Sequence, residues 1–508
     1  MKIEISARPL VEAGADVLVV EQYVGERGLA PDARRVDRML GGLLARALGE
    51  ERFEARVGDT TVLHTGGRLA AKRVLVVGMG PRAECRADTV RRAASAALRR
   101  ARDLGARSVA VRLLGTRLPP GVRAQAVAEG ALLGLYGFDR YKARKGEERA
   151  VERLTVLASA RDQAAVREGL RVGTLAAEAT NFARDLINEP ANRVTARALA
   201  RAAQAIAGEG RLRVRIYDRA ACERMGMGAF LGVNRGSQEP PRFIHLPYAS
   251  KGRVARRLAL IGKGITFDSG GLDLKPAEAM ERMKDDMSGA AAVLGVMKVL
   301  PRLEPRVEVH GLIAATDNMP SGSATKPGDI LRAMNGKTIE VNNTDAEGRL
   351  TLADALAYAL REVKPDEIVD IATLTGACSI ALGSLCAGAM TNSVALQARV
   401  LRAAGEAGER VWPLPLIEEY KEGLRSEVAD LKNTGPRPGG AITAGLFLKE
   451  FVDDTPWVHL DIAGAAFTDK ELPYAAKGGV GFGARTLLAY VLAAGKHPSP
   501  PRGGRGSR

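Results

Sequence analysis

One stretch decides the fold, because an apolar run leads directly into a glycine-rich segment: Leu258-Ala259-Leu260-Ile261-Gly262-Lys263-Gly264-Ile265-Thr266-Phe267-Asp268-Ser269-Gly270-Gly271. The apolar run at 258–261 predicts a buried strand, and the glycines and serines after it predict a loop that leaves the carboxyl end of that strand. Open α/β sheets place their functional sites at such strand ends. Lys263 and Asp268 carry the charges of this loop, so we interpret both as candidate site residues.

Strands and helices alternate on both sides of this stretch, which predicts an α/β fold. The strands are expected at 212–217, 257–261, 307–314, 367–371 and 457–462, and the helices at 195–207, 288–299, 351–361 and 483–494. Such alternation is typical of a parallel sheet with helices on both faces. We therefore expect a catalytic α/β/α domain with a mostly parallel central sheet at residues 188–496.

The first third of the chain predicts a second, smaller α/β domain. A chain of 508 residues exceeds the ~250–300 residues at which one hydrophobic core stops growing, so two domains are expected. Strands predicted at 74–77 and 108–114 flank an Ala- and Arg-rich helix at 89–104, which favours an α/β domain here as well.

Domain limits follow from breaks in these patterns. We place the amino-terminal domain at 1–160, a linker helix at 161–187 that ends before Pro190, and the catalytic domain at 188–496. Proline prevents easy continuation of a helix. The tail at 497–508 is rich in Pro, Gly, Ser and Arg, a composition that predicts disorder.

Composition excludes a membrane-spanning or wholly disordered protein. Hydrophobic residues make up 46% of the chain and charged residues 26%, and no apolar run approaches the ~20 residues that a membrane span needs. The start, Met1-Lys2-Ile3-Glu4-Ile5, alternates like a strand and lacks an apolar signal segment, so we expect a cytoplasmic protein without a membrane partner. The five histidines and four cysteines are dispersed. Any metal must therefore be held mainly by oxygen ligands.

The positive charge of the chain is concentrated near its amino terminus. Residues 1–160 hold 29 Lys and Arg against 19 Asp and Glu, which gives +10 of the total net charge of +16. The excess is densest at Arg91-Arg92, Arg99-Arg100-Ala101-Arg102 and 140–149. A basic patch of this kind predicts DNA binding through the amino-terminal domain. Arginines on a solvated helix face are the alternative.

A second charged cluster lies downstream, in Asn343-Thr344-Asp345-Ala346-Glu347-Gly348-Arg349-Leu350, called the octet below. Its two carboxylates and one guanidinium within five residues are typical of a divalent-metal site. The alternative is a polar turn in which Asn, Thr or Asp caps the helix at 351–361. Upstream, Asp286 precedes a small-residue helix in Met283-Lys284-Asp285-Asp286-Met287-Ser288-Gly289-Ala290-Ala291.

Four of these acids, Asp268, Asp286, Asp345 and Glu347, are expected to meet at one edge of the sheet. Bare carboxylates in such proximity repel one another, so the cluster predicts bound cations. Two divalent ions sharing ligands are the expected arrangement. A lysine beside them can ligate as a neutral amine, whereas one slightly further away stays protonated and acts as an electrophile.

The segments at 262–271, 272–276, 283–291 and 343–350 resemble those of the cytosolic leucyl aminopeptidase family. The resemblance extends from about residue 181 to 490 and takes in 188–192, 372–377, 433–434, 461–464 and 481–485. It implies a metal-dependent aminopeptidase that releases amino-terminal, preferably Leu-like, residues from peptides by attack of a metal-bridging hydroxide. A two-metal phosphohydrolase is the alternative that the ligand set alone permits.

The resemblance also implies a role for each charged residue. A tightly held metal would be bound by Lys263, Asp268, Asp286 and Glu347, and an exchangeable one by Asp268, Asp345 and Glu347. Mn or Zn are the expected ions, with Mg as a further candidate. Lys275 and Arg349 match the family's catalytic residues that do not bind metal, and Arg349 is implied to hold a bicarbonate ion as proton shuttle.

Substrate contacts and assembly are implied in the same way. The family assembles as a homohexamer, a dimer of trimers, which we expect here by analogy. The residues implied to line the substrate pocket are Met283, Asn343, Thr373, Leu374, Gly376, Ala463 and Ala466.

Overall fold

The computed structural model describes residues 1–143, 150–208, 211–252 and 254–496. The chain forms two compact units, one of Met1–Glu178 with Lys470–Lys477, the other of Ala179–Asp469 with the chain from Gly478 onward. This division falls within one long helix. The sequence-based domain limits, with a linker at 161–187, stay a prediction. The tail at 497–508, predicted to be disordered, and residues 144–149 of the basic stretch lie outside the described residues.

The first unit contains a six-stranded sheet with helices against it. Its strands are β1 (Lys2–Ser6), β2 (Val17–Gln22), β3 (Thr60–His64), β4 (Arg73–Gly78), β5 (Ser108–Arg112) and β6 (Arg153–Leu157). Its helices are α1 (Pro31–Met39), α2 (Leu43–Glu50), α3 (Ala87–Asp103) and α4 (Pro120–Gly134), and α5 (Gln163–Asn188) follows. The strand order is β1-β6-β5-β2-β4-β3, parallel except for β3.

Alternate residues of the central strand β2 enter two different cores. Val17 and Val19 pack in one hydrophobic cluster, and Leu18 and Val20 in another. Successive side chains of a strand point to opposite faces of its sheet. A strand covered on both faces therefore needs a continuous apolar run, as the sequence of β2 provides.

The second unit is built around an eight-stranded sheet. The strands of this unit are β7 (Arg215–Tyr217), β8 (Arg242–Tyr248), β9 (Arg257–Asp268), β10 (Glu308–Asn318), β11 (Ile330–Arg332), β12 (Thr338–Glu340), β13 (Glu367–Ala372), β14 (Cys386–Thr391), β15 (Arg410–Pro413), β16 (Leu431–Lys432), β17 (Trp457–Asp461), β18 (Phe467–Thr468) and β19 (Gly478–Gly479). Of these, β11, β12 and β16 form a separate three-stranded sheet, and β18 and β19 a two-stranded one. Its helices are α6 (Ala196–Ala207), α7 (Arg219–Met225), α8 (Gly228–Asn234), α9 (Ala277–Met280), α10 (Ser288–Leu303), α11 (Glu347–Tyr358), α12 (Gly376–Leu382), α13 (Val394–Ala407), α14 (Gly440–Lys449) and α15 (Ala484–Ala494).

The large sheet is parallel at its centre and mixed at its edges. Its order is β15-β14-β17-β13-β9-β10-β8-β7, and the four strands from β17 to β10 run parallel. On one side β8 and β7 are antiparallel to their neighbours, and on the other β14 is antiparallel to β17. The mostly parallel central sheet predicted from the alternation is confirmed. Within the described residues, no helix combines the length and apolar character that crossing a membrane requires.

Strand β9 corrects one expectation, because it continues through residues predicted to form a loop. It ends at Asp268, so Lys263 lies within the strand. The glycines there allow close packing instead of a turn: a Cβ on Gly262 would lie 2.6 Å from Ala290 Cα, and one on Gly264 would lie 2.8 Å from Ile313 Cγ2. These glycines bring α10 and β10 against the strand.

The start of α11 corrects a second expectation. The helix begins at Glu347 instead of residue 351, and its N-cap, Ala346, makes no side-chain hydrogen bond. The capping role considered for Asn, Thr or Asp of the octet is therefore wrong. Asn343 Oδ1 instead accepts a hydrogen bond from Asp345 N at 2.8 Å, which folds the octet on itself before the helix starts.

Candidate metal centre

The ligand candidates converge at the carboxyl ends of the parallel strands. Asp268 is the last residue of β9, and Thr373 directly follows β13. Asp286 precedes α10 by two residues, and Glu347 opens α11. Since parallel strands end at the same edge of a sheet, loops and helix starts at this edge deliver side chains to one place.

Three carboxylates form the core of this cluster. Asp268, Asp286 and Glu347 each offer an oxygen, and these oxygens all lie within 4.8 Å of one another. The three residues are 2%, 4% and 2% exposed. Burying several carboxylates together costs free energy unless they are paired with a cation or bind a metal ion. The low exposure of these three residues therefore distinguishes the cluster from an ordinary acidic surface.

Lys263 reaches this cluster from inside the sheet. Its Nζ lies 2.7 Å from Asp286 Oδ1, 2.8 Å from Glu347 Oε1 and 2.8 Å from the carbonyl oxygen of Thr373. Gly348 makes room for it, because a Cβ at that position would lie 2.5 Å from Lys263 Cε. A glycine in the first turn of α11 is thus required by the lysine that passes it.

Lys275 and Asp345 lie on the more open side of the cluster. Lys275 Nζ is 2.9 Å from Asp268 Oδ2 and 2.5 Å from Asp345 Oδ1. The side chain of Asp345 is 34% exposed, whereas that of Asp268 is 3% exposed. The four predicted carboxylates and both predicted lysines are therefore brought together, with Asp345 the most accessible of the acids.

The pKa values of the lysines reflect this crowding. Burial disfavours the Lys263 ammonium, but the Asp286, Glu347 and Asp268 carboxylates together outweigh that cost, so its pKa is raised. Burial likewise opposes the charge of Lys275, and the surrounding carboxylates again raise its pKa. In the protein alone, both lysines are held as ammonium ions.

For the carboxyl groups, burial raises the pKa and the neighbouring lysines lower it. Burial, with a contribution from the Glu347 carboxylate, raises the pKa of Asp268 to about 6. Burial also raises the pKa of Asp286 well above its usual range. Burial acts in the same direction on Glu347, but Lys263 and Lys275 together lower its pKa. Two lysines thus compensate the acids only in part.

Unpartnered oxygens test whether the cluster fits metal ions. Four buried oxygens of this cluster lack a hydrogen bond within the described residues: Asp286 Oδ2, both carboxylate oxygens of Glu347, and Asp345 Oδ1. Glu347 Oε1 and Asp345 Oδ1 still lie at ion-pair distance from a lysine. Asp286 Oδ2 and Glu347 Oε2 have neither contact within the residues described. Hard divalent cations prefer carboxylate oxygens, so the donor set fits such ions.

Arg349 is buried beside the acids without being paired to them. It is 6% exposed, and its Nη1 donates to the carbonyl oxygen of Asn433 at 2.8 Å. Its Nε is buried without a partner in the described part of the chain. Burial lowers the pKa of Arg349 to about 10, which still leaves the guanidinium protonated at neutral pH. A cation with a free donor beside a cleft can hold an anion.

The cluster lies in a cleft of about 750 Å³. Met283, Leu374 and Ala463 give its wall an apolar part. Ala466 is fully buried and lies outside the cleft lining. The other residues implied to contact substrate also line the cleft, namely Asn343, Thr373 and Gly376.

Sequence reasoning missed a fifth acid and the residues that hold the octet in place. Asp285 also lines the cleft, and burial raises its pKa to about 6. Asn433 Nδ2 donates to the carbonyl oxygen of Asn343 at 2.7 Å, while its Oδ1 accepts from Asn342 N at 2.9 Å. The resemblance had included Asn433 without a role. The repeated acid at 285–286 is the sequence signal by which Asp285 could have been found.

Comparison with known proteins identifies the family. The catalytic domain of the cytosol aminopeptidase family matches residues 181–488, and the N-terminal domain of that family matches residues 18–145. The chain belongs to the cytosol aminopeptidase family. It is therefore a metal-dependent aminopeptidase, a hydrolase of peptides, and the resemblance inferred from the motifs is confirmed. The family is one of peptidases, not of phosphohydrolases.

Similar sequences cover the chain almost completely. A "Probable cytosol aminopeptidase" of Nostoc punctiforme is 45% identical over 505 residues, which is 98% of this chain and 100% of that protein. A protein of the same name from Gloeobacter violaceus is 47% identical over 478 residues, 90% of this chain and 93% of that protein. Both family domains are thus present in one chain of similar extent.

Solved structures with the same fold include a plant enzyme and a maturation enzyme. A mutant of tomato leucine aminopeptidase superposes with a TM-score of 0.86 at 37% identity, covering 97% of this chain and 96% of that one. The bottromycin maturation enzyme BotP in complex with Mn superposes with a TM-score of 0.84 at 38% identity, covering 95% and 100%. The two-domain α/β fold is confirmed by these similarities.

Proposed function

We propose that this chain removes apolar amino-terminal residues, Leu above all, from peptides, with two divalent metal ions held by Lys263, Asp268, Asp286, Asp345 and Glu347. The observation that carries the proposal is the buried cluster of carboxylate oxygens at the floor of the cleft, two of which have no partner. The Mn named with the BotP structure supports the choice of ion.

The acids divide by their accessibility. By the resemblance, Asp268 and Glu347 would be the carboxylates shared by both ions. Asp268 lies within ion-pair distance of Lys275, and Glu347 within ion-pair distance of Lys263. Asp286, which is buried beside Lys263, would bind a tightly held ion, and Asp345, whose side chain is 34% exposed, an exchangeable one. When bound, the ions would supply an activated water and an anchor for the free α-amino group of the peptide.

Lys275 is placed to stabilise the charge that develops on the scissile carbonyl oxygen. Its side chain is 15% exposed and lines the cleft, while its Nζ contacts two of the acids. An ammonium held in this position can donate a hydrogen bond to an oxyanion without rearranging. Arg349 is too weak an acid to exchange protons itself. Its free Nε makes it the candidate holder of a bicarbonate ion that transfers protons.

The preference for Leu rests on the apolar part of the cleft wall. Met283, Leu374 and Ala463 line the cleft and offer apolar surface against which an aliphatic side chain can pack. Burying such a side chain contributes about 1.5–3 kcal/mol. Leu-p-nitroanilide should therefore be cleaved with a higher kcat/KM than the Glu or Lys derivative. Equal values for all three substrates would contradict the proposed pocket.

Hydrolysis of Leu-p-nitroanilide with and without Mn²⁺ tests the centre. We expect Asp345→Ala and Lys275→Ala to lose on the order of 100-fold or more in kcat/KM, the scale of losing a positioned donor or ligand. Lys326→Ala, an exposed lysine outside the cleft lining, is the matched control and should keep full activity. Wild-type activity in Asp345→Ala would overturn the assignment of the centre.

A homohexamer, a dimer of trimers, is proposed for the assembly. Large apolar side chains of the second unit are open to solvent, among them Ile380 at 83%, Val394 at 79% and Trp412 at 65% exposure. The family resemblance is what supports this assembly, and these side chains are the candidate contacts between its chains. Light scattering coupled to size exclusion should give six chains per particle, and a monomer at micromolar concentration would contradict the proposal.

DNA binding by the first unit is a secondary proposal that rests on net charge. Arg91 forms a buried ion pair with Glu129, and Arg99 donates to the carbonyl oxygen of Gly134 at 2.8 Å, so neither is a free surface charge. Arg100 remains exposed. A salt-dependent mobility shift of duplex DNA should weaken on charge reversal at Arg99, Arg100 and Arg102. Identical behaviour of this variant and wild type would exclude that surface.

A further inference from the structure

Asn318 contacts the acid cluster from outside it. The residue ends β10, where it pairs with Asp268 at the end of β9 after an irregularity in the register. It is 4% exposed. Its carbonyl oxygen accepts hydrogen bonds from Ser269 N at 3.0 Å and Ser269 Oγ at 2.6 Å. The backbone of Asn318 thus fixes the chain immediately after Asp268.

The side-chain amide of Asn318 joins two segments that carry acids. Its Nδ2 donates to Asp268 Oδ1 at 2.9 Å and to the carbonyl oxygen of Thr344 at 3.1 Å. Both partners are acceptors, so the amide nitrogen, not the amide oxygen, must face them. Thr344 directly precedes Asp345 in the octet. One NH₂ group therefore joins the end of β9 to the octet, beside the hydrogen bond that Thr344 Oγ1 donates to the carbonyl oxygen of Gly270 at 2.7 Å.

Asp268 is held by two neutral donors on one oxygen and by a cation on the other. Oδ1 accepts from Asn318 Nδ2 and from Gly270 N, each at 2.9 Å, and Oδ2 lies 2.9 Å from Lys275 Nζ. The two donors to Oδ1 restrict rotation of the carboxylate. A neutral amide does so without adding a positive charge that would repel a metal ion, which a lysine or arginine at this position would do.

We propose that Asn318 is a positioning residue that orients the Asp268 carboxylate for metal binding and ties it to the octet. The inference rests on the proposed role of Asp268 as a metal ligand. Hydrogen-bond partners that orient metal ligands typically account for 10–100-fold in metal affinity. Asn318 reaches neither the substrate nor the metal ions in this role, so it acts through Asp268 and through the position of Asp345.

Titration of the metal-free protein with Mn²⁺, followed by the electron paramagnetic resonance signal of free Mn²⁺, tests this role. Asn318→Ala removes the donor, and Asn318→Leu removes it while keeping the bulk of the side chain. We expect both to raise the Kd for Mn²⁺ by about 10–100-fold. Asn335→Ala is the matched control, because Asn335 is exposed and its Oδ1 only accepts from Lys337 N at 3.1 Å.

The outcomes separate positioning from packing and from failure of the centre itself. Asp268→Ala should bind Mn²⁺ more weakly than either Asn318 variant, and wild-type affinity in Asp268→Ala would refute the proposed centre instead of this inference. A lower Tm of the metal-free variants with an unchanged Kd for Mn²⁺ would show a packing role and overturn the inference. So would weak binding by Asn318→Ala with normal binding by Asn318→Leu.

Discussion

Replacement of Gly348 by alanine should stabilise helix α11 but disturb the metal centre beside it. A Cβ at this position would lie 2.5 Å from Lys263 Cε and 2.7 Å from its Nζ. Carbon atoms pack favourably at about 3.5–4.0 Å, so Lys263 would have to withdraw by about 1 Å. Its Nζ now lies 2.7–2.8 Å from three oxygens, and a shift of this size takes such contacts beyond hydrogen-bonding distance.

The two energetic effects of Gly348→Ala oppose each other. Alanine in place of glycine within α11 favours the helix by about 1 kcal/mol. Hydrogen bonds to a charged group contribute about 1.5–3 kcal/mol each, so loss of two of the three at Lys263 costs about 3–6 kcal/mol. The loss exceeds the gain. The metal-free variant should therefore be about 2–5 kcal/mol less stable than wild type. Because the displaced Lys263 would no longer meet Asp286 and Glu347, whose carboxylates would hold the metal ions, Mn²⁺ affinity should fall by on the order of 10–100-fold, together with kcat/KM.

Gly405→Ala provides the matched control for this experiment. Gly405 lies within α13, and a Cβ there would meet no atom within 4 Å. This variant should gain stability by up to about 1 kcal/mol and keep full activity. Mn²⁺ titration, kcat/KM for Leu-p-nitroanilide and the Tm of the metal-free protein would be measured for both variants. If Gly348→Ala matches Gly405→Ala in Mn²⁺ affinity and kcat/KM, the steric argument is refuted.

Other perturbations test the electrostatics of the fold. Burial and the neighbouring His310 lower the pKa of His245 to about 3, so below about pH 6.5 the unfolded chain binds a proton at this residue that the native state does not bind. The free energy of unfolding should therefore decrease by up to about 1.4 kcal/mol for each pH unit of acidification. His245→Gln should show a shallower decrease of Tm from about pH 7 to pH 5, and equal slopes would contradict the assignment. Removing metal with a chelator should lower the Tm, and Mn²⁺ should restore it, because a ligand of the native state alone stabilises that state; an unchanged Tm would count against a bound ion. Glu129→Ala removes the carboxylate that pairs with the buried Arg91, both side chains being 2% exposed, and should cost up to about 3–5 kcal/mol in denaturant unfolding. A neutral effect would contradict a stabilising role of this ion pair.

The sequence was informative where both faces of the sheet are buried. The strands expected at 257–261, 307–314, 367–371 and 457–462 all occur, because doubly covered parallel strands need uninterrupted apolar runs. Strand β14, Cys386–Thr391, was not predicted. Its sequence of small residues, CAGAMT, contains neither an alternating pattern nor a β-branched run. It also pairs antiparallel with β17, and the direction of strand pairing cannot be predicted from a local sequence pattern.

For the site, too, residues within a local motif could be predicted from the sequence, and residues that act from distant parts of the chain could not. The charged residues at 263, 268, 275, 286 and 343–350 lie in short contiguous motifs. Their residue types and spacing were therefore enough to predict that they belong to the site. Asn318 and Asn433 act across 50 and 90 residues of chain, by hydrogen bonds to Asp268 and to the backbone of the octet. Single amides of this kind leave no periodicity or spacing in a sequence. They become recognisable only when the strand ends are brought together.

Glycines explain why a lysine inside a strand can belong to the centre at all. Gly262 lets α10 approach β9 closely, since its Cβ would lie 2.6 Å from Ala290 Cα, and this approach brings Asp286 within 2.7 Å of Lys263 Nζ. Gly270, at φ +90°, would place a Cβ 2.9 Å from Asp345 Oδ1. In the sequence these glycines predicted a loop. In the fold, a side chain at Gly262 would push α10 away from β9, and one at Gly270 would occupy space that Asp345 requires, so the centre depends on these glycines as directly as on its ligands.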